Sequence, residues 1–159
     1  MSKFALLFLM VFFGGILSAL LFTPMASFLV YQLVYFLNPD IRWWSASIPG
    51  IRYSFITVTV MLVVLLSRYN SLSLIAPWKE QPVFKWMLAL VVLYFFALIF
   101  AVVPDVHKRF TIDFAKLVLI MMMAYKLVHT EKALDACLWA YIVGATYIGY
   151  MAREVGRDG

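Results

Sequence analysis

At 159 residues the chain has the length of one domain, but 65% of its residues are hydrophobic, 13% are charged, and its mean hydropathy is +0.95. This composition excludes an ordinary water-soluble globule, which needs a polar surface around its core. The net charge of +5 does not indicate nucleic acid as a partner, because Lys and Arg stand singly or in pairs at the ends of apolar runs. We therefore predict an all-α, polytopic transmembrane helix bundle whose partner is the lipid bilayer.

The first apolar run extends from Phe4 to Leu37 without a charged residue. A single helix of that length would span about 50 Å, against about 30 Å for the hydrocarbon core of a bilayer. Pro24 is expected to break it, because proline removes a helix donor and clashes with the preceding turn. Membrane segments are thus predicted at 4–22 and 25–37. The run is too long for a cleaved signal peptide and lacks a small-residue cleavage site, so we expect it to be retained.

A loop at the membrane interface is predicted next, because "NPDIRWWSASIPGIRYS" combines turn formers, two arginines and paired tryptophans. Trp43 or Trp44 is also a candidate stacking platform for a sugar. A third apolar segment is predicted at 53–66. The following stretch, "SRYNSLSLIAPWKEQP", contains turn formers and charges and is predicted to be a loop.

The fourth segment, at 83–103, is the clearest single span in the sequence. "PDVHKRF" is predicted to separate it from a fifth segment at 110–128, and "HTEKALD" to separate that from a sixth at 133–152. Thr130 is the expected start of the sixth helix. The sequence therefore predicts five or six membrane segments in all, depending on whether the first two both cross the bilayer. The distribution of Lys and Arg does not decide the orientation.

Small residues recur at a spacing of four in the sixth segment, at Ala136, Ala140 and Gly144, and again at Ala145 and Gly149. Such spacing allows helices to approach closely, although it also arises by chance in a span rich in glycine and alanine. The single cysteine, Cys137, has no partner for a disulfide or a thiolate metal site. Neither a metal nor a cofactor is expected from the motifs of this chain.

Charges inside the fifth segment allow two interpretations, because an ionised group in a membrane helix needs a partner or a wet cavity. Asp113 and Lys116 lie three apart on one helical face and can neutralise each other. Alternatively, Lys116 forms a cationic rim with Lys108 and Arg109. Such a rim would hold the phosphates of a lipid-linked substrate through charge-assisted hydrogen bonds.

Two stretches together resemble the polytopic O-antigen ligase and polymerase-like proteins, especially the branch found with exosortase systems. "YFLNPDIRWW" resembles an aromatic-rich helix of that family, closed by Asn-Pro and a tryptophan loop. "FAVVPDVHKRFTIDFAKLVLIMMMAYKLVHTEKALDACLWAYIVGATYIGY" resembles its proline-acidic turn, lysine-bearing helix, charged turn and small-residue helix. The resemblance covers the whole chain, but only the N-terminal part of such a protein.

The resemblance implies a metal-independent, inverting glycosyltransferase of the bacterial inner membrane, which moves a glycan from undecaprenyl diphosphate to an acceptor hydroxyl. It implies that Arg157, in the closing "REVGRDG", stabilises the diphosphate leaving group, and that Arg153 contributes to substrate binding. Because the family's other functional residues lie further along, we expect the chain to be inactive without a C-terminal half or a partner membrane protein. The alternative is a small non-catalytic membrane subunit, scaffold or transporter component.

Overall fold

The computed structural model describes residues 3–42 and 44–157, and the side chains of Ile41 and 154–157 lie outside that description. Over these residues the chain is helical and has no strands, which confirms the all-α class. Four short 3₁₀ turns accompany the longer helices, at Pro39–Ile41, Ser45–Ser47, Trp78–Glu80 and Leu98–Phe100. The α-helices are α1 (Lys3–Leu21), α2 (Met25–Leu37), α3 (Tyr53–Ser67), α4 (Tyr69–Ile75), α5 (Val83–Ala97), α6 (Pro104–Leu127) and α7 (Glu131–Arg157).

The contacts divide the chain into two compact units. Unit 1 contains α1, α2, α3 and α7, and unit 2 contains α4, α5 and α6 as far as Lys126. The prediction of one integral-membrane domain over 1–159, forming the N-terminal part of a larger fold, stays a prediction.

Helix α2 runs back along α1, because the chain reverses at Thr23 and Pro24 as the sequence predicts. The turn is closed by the N–H of Ala26, which donates to the Thr23 carbonyl at 3.0 Å. At the other end of α2, Asn38 adopts a left-handed conformation, which asparagine tolerates better than most residues. The predicted Asn-Pro break is therefore confirmed.

The core of unit 1 is a group of aromatic rings between α1, α3 and the loop before α3. The Phe8 ring lies 5.2 Å from the rings of both Trp44 and Tyr53, measured between centroids. The Tyr53 hydroxyl donates to the Pro49 carbonyl at 2.8 Å. Trp44 is only 5% exposed and packs at a tilt against Phe8, so it does not present the exposed ring that its predicted use as a sugar platform needs. Trp43 lies outside the described residues.

Two helical stretches among the described residues are long and apolar enough to cross a membrane, Lys3–Leu21 and Val83–Phe100. A third crossing results if α3 and the stretch Tyr69–Glu80 form one broken span. These helices support a membrane protein, but they do not support five to six spans. Helix α2 has only 13 residues, α6 carries charges along its first half, and the apolar part of α7 is interrupted by tyrosine, threonine and glycine.

Two predicted loops are wrong. The stretch "PDVHKRF" forms the first turns of α6, because proline is favoured where a helix begins and its missing N–H needs no partner there. Asp105 in that first turn interacts favourably with the helix dipole. The predicted loop at 67–82 contains α4 and a 3₁₀ turn.

The predicted start of the last helix is confirmed. The backbone N–H of Ala133 donates to Thr130 Oγ1 at 3.1 Å, which satisfies one of the N–H groups that a helix leaves free at its start. Helix α7 then continues to Arg157, beyond the predicted end at 152.

Candidate functional site

An apolar groove lies between α1, α2 and α7 of unit 1. Its first lobe has a volume of about 440 Å³. Each helix contributes residues spaced by three or four positions, so that one face of each helix borders the lobe. The lining residues include Val11, Gly15 and Ser18 of α1, Ala26, Val30 and Leu33 of α2, and Ala140, Gly144 and Tyr147 of α7.

A second lobe of about 320 Å³ continues the groove toward the beginning of α1. Phe4 and Leu7 of α1 face Tyr150 and Met151 of α7 there. The two lobes share four lining residues, so they are neighbours along the same helices, and we call them together the unit 1 groove. The shared residues are Val11, Leu33, Leu37 and Tyr147. From Phe4 to Ser18 of α1 the groove is about 21 Å long, at 1.5 Å per helical residue.

Two glycines set the distances between the helices that form the groove. A Cβ atom at Gly15 would overlap a methyl group of Val30 in α2. A Cβ atom at Gly144 would overlap the ring of Phe36. The small-residue spacing predicted for α7 therefore does mark a helix contact at Gly144.

Two polar side chains border the groove. Gln32 donates from Nε2 to the Cys137 carbonyl at 3.3 Å, and its Oε1 is buried without a hydrogen-bond partner among the described residues. Arg42 donates from Nε to the Leu37 carbonyl at 2.7 Å, and its guanidinium carbon lies 5.3 Å from the centre of the Tyr147 ring. Because Leu37 and Tyr147 line both lobes, Arg42 lies beside the place where the two lobes meet.

Basic residues gather at one end of unit 1. Lys3 begins α1, Arg42 follows α2, and Arg52 precedes α3. Phe4 and Met151 line the same lobe, so the beginning of α1 and the end of α7 also lie together. Arg153 is exposed at that end, two residues beyond Met151. Arg157 is the last residue of α7, but its side chain lies outside the described part of the chain.

In unit 2, the predicted substrate-binding residues Lys108, Arg109 and Lys116 do come together. They line one open polar cavity of about 510 Å³ on the first half of α6, with Asp105, Ile112 and Asp113. We call Lys108, Arg109 and Lys116 the α6 rim. Lys116 Nζ lies 3.0 Å from Asp113 Oδ1, so the predicted ion pair is present as well. Both side chains are more than half exposed, so the pair contributes at most about 1 kcal/mol.

Lys126 is a feature that the sequence analysis missed. It is fully buried, and its Nζ donates to the Ala76 carbonyl at the end of α4. The ammonium group lies 4.2 Å from the centre of the Trp78 ring and 5.9 Å from the Tyr69 and Tyr125 rings. The Tyr125 hydroxyl donates to the Pro77 carbonyl at 3.0 Å. This arrangement ties α4 and the following turn to the end of α6.

The two histidines differ in their contacts. His107 Nε2 lies 3.0 Å from the Tyr94 carbonyl, and its ring stacks on the Tyr94 ring, so it joins α6 to α5. His129 precedes α7, and its Nδ1 is buried without a partner among the described residues. The described part of the chain contains no group of three or more His, Cys, Asp or Glu side chains that could hold a metal ion.

Comparison with known proteins gives no match: no family model matches the sequence, and no curated protein or solved structure matches the chain. The resemblance to the O-antigen ligases therefore depends on the sequence patterns quoted above, and function has to be argued from the groove and the α6 rim.

Proposed function

We propose that the chain is the membrane portion of a bacterial inner-membrane glycosyltransferase that uses a glycan carried on undecaprenyl diphosphate. The observation that carries this proposal is the α6 rim, where Lys108, Arg109 and Lys116 line one cavity. The adjacent apolar stretch Val83–Phe100 is long enough to cross the bilayer. A rim of this kind would meet a diphosphate group at the membrane surface.

The chemistry of the rim fits a diphosphate. Negative charge develops on the leaving group as the sugar carbon is attacked, and fixed cations stabilise that charge. Lys108 and Arg109 form no ion pair within the described residues. Lys116 is paired only with the exposed Asp113, and opening such a pair costs little. All three cations can therefore turn to phosphate oxygens.

The roles of Arg153 and Arg157 depend on which side of the membrane the end of α7 faces. Stabilisation of the leaving group by Arg157 needs the end of α7 to face the extracytoplasmic side. Since the beginning of α1 lies at the same end of unit 1, the N-terminus would have to face that side too. An excess of basic residues favours the cytoplasmic side, and Lys3, Arg42, Arg52 and Arg153 all lie at this end. The role of Arg157 therefore depends on topology, and the α6 rim has to face the same side of the membrane to meet the same diphosphate.

The rim is tested by binding a polyprenyl diphosphate to the chain in lipid nanodiscs. Replacing Lys108 and Arg109 together by glutamine should weaken binding about tenfold or more, because each charge-assisted contact to phosphate is worth about 1.5–3 kcal/mol. The matched control replaces Lys79 and Lys85, two exposed cations of unit 2 outside the rim, and should bind as the unchanged chain does. Equal losses in both variants, or no loss in the first, would contradict the proposal.

A non-catalytic membrane subunit is the second candidate, and α5 favours it. None of the span Val83–Phe100 is fully buried within the described structure, so most of its surface, apart from the contacts of Tyr94 with His107 and Phe114, is available to a partner helix. A photocrosslinking residue in place of Leu90, which is 45% exposed, tests this in living cells. A defined adduct with one membrane protein supports the subunit, and adducts with lipid alone argue against it.

A further inference from the structure

The unit 1 groove has the size of a small-molecule site. Its lobes of about 440 and 320 Å³ lie within the range of roughly 300–1,000 Å³ that holds single ligands.

The side chains that line the groove favour an apolar ligand. Apart from Gln32, Ser18, the Tyr side chains and Trp44, the groove is bordered by aliphatic side chains, phenylalanine, methionine and glycine. Water gains too few hydrogen bonds in such a space to fill it. A hydrocarbon chain matches this apolar surface.

Arg42 adds a charge requirement at the side of the groove. Its guanidinium is held by the hydrogen bond to the Leu37 carbonyl and by the Tyr147 ring, so it is oriented before any ligand arrives. Only its Nε–H is used in that hydrogen bond, and Arg42 forms no ion pair with the residues described. The two terminal nitrogens present the donor fork that matches phosphate oxygens.

We propose that the unit 1 groove binds one anionic phospholipid of the surrounding bilayer, with an acyl chain in the first lobe and its phosphate on Arg42, where the two lobes meet. Phospholipid is the occupant because it surrounds the groove at the highest concentration, and binding follows concentration by mass action. Lys3, Arg52 and Arg153 at the same end of unit 1 increase the preference for an anionic headgroup. This site lies in a different unit from the α6 rim and does not depend on the function proposed for the rim.

Native mass spectrometry of the full chain, released from nanodiscs of equal phosphatidylglycerol and phosphatidylethanolamine, tests the proposal. The expected result is one retained lipid, enriched in phosphatidylglycerol over the bulk ratio. Arg42→Gln should reduce that enrichment about tenfold. Lys132→Gln, which removes an exposed cation near the start of α7, is the matched control and should leave the enrichment unchanged.

A second variant tests the groove itself. Ala140→Leu places a larger side chain in the first lobe and should reduce retention of either lipid, while circular dichroism shows that the helices remain formed. Three results would overturn the proposal: an unchanged lipid profile in both variants, retention of added polyprenyl phosphate in preference to phospholipid, or a dimer whose crosslinks map to the groove.

Discussion

A single added methyl group tests the packing that forms the groove. In Gly144→Ala, the new Cβ would overlap Cγ, Cδ1 and Cδ2 of the Phe36 ring. That ring packs against Tyr141 at 5.5 Å between centroids and also lines the first lobe, so the new Cβ has to displace it from this contact. Overpacking of this kind costs typically about 1–3 kcal/mol.

Gly149→Ala is the matched variant on the same helix. Nothing lies within 4 Å of a Cβ at Gly149, so this change adds no clash. Both substitutions gain up to about 1 kcal/mol because alanine is the better helix former. The difference between the two variants therefore isolates the packing cost against Phe36 and should be about 1–3 kcal/mol.

Equilibrium unfolding of both variants in detergent micelles measures this difference. Gly149→Ala should unfold at or above the midpoint of the unchanged chain, and Gly144→Ala should unfold below it. If the two variants agree within about 0.5 kcal/mol, then α7 does not approach α2 as closely as the structure shows, and the groove between them is not formed as described.

Further predictions concern other contacts. Gly15→Ala should lower the unfolding free energy relative to Gly14→Ala, because only the first Cβ meets a neighbouring helix; equal values would refute the close approach of α1 and α2. Lys126→Met should lower the unfolding free energy by about 2 kcal/mol, because the cation–π and carbonyl contacts are lost. Lys116→Met should lower it by less than about 1 kcal/mol, because its ion pair is exposed. The same unfolding assay ranks the two variants, and the reverse order would contradict the buried position of Lys126. Gln32→Leu should increase lipid retention in mass spectrometry, because it removes a buried, unpartnered oxygen from the groove; reduced retention would argue against an apolar occupant.

Local signals in the sequence were sufficient for part of the fold. Pro24 and Asn38 mark both ends of α2, and Thr130 marks the start of α7, because caps and breaks depend on neighbouring residues. The α6 rim was also predictable, since Lys108 and Arg109 lie about two turns before Lys116 on the same helix. The charged stretch before it was misassigned because polarity alone does not distinguish a loop from an exposed first turn of a helix.

The remaining features depend on contacts between distant parts of the chain. Gln32 and Cys137 are 105 residues apart, and the groove exists only because α7 packs beside α2. Lys126 reaches Ala76 across 50 residues, so nothing near it in the sequence identifies its partners. Nothing near Arg42 in the sequence distinguishes it from the other interfacial arginines, because its contact with the Tyr147 ring depends on α7.

The arrangement of unit 1 is tested most directly by reporters, each active on only one side of the membrane, fused in turn to the two ends of the full chain. Because the beginning of α1 and the end of α7 line the same lobe, both reporters should be active on the same side. An extracytoplasmic result for both would retain the role proposed for Arg157, and a cytoplasmic result for both would contradict it. Reporters on opposite sides of the membrane would contradict the helix arrangement that forms the groove.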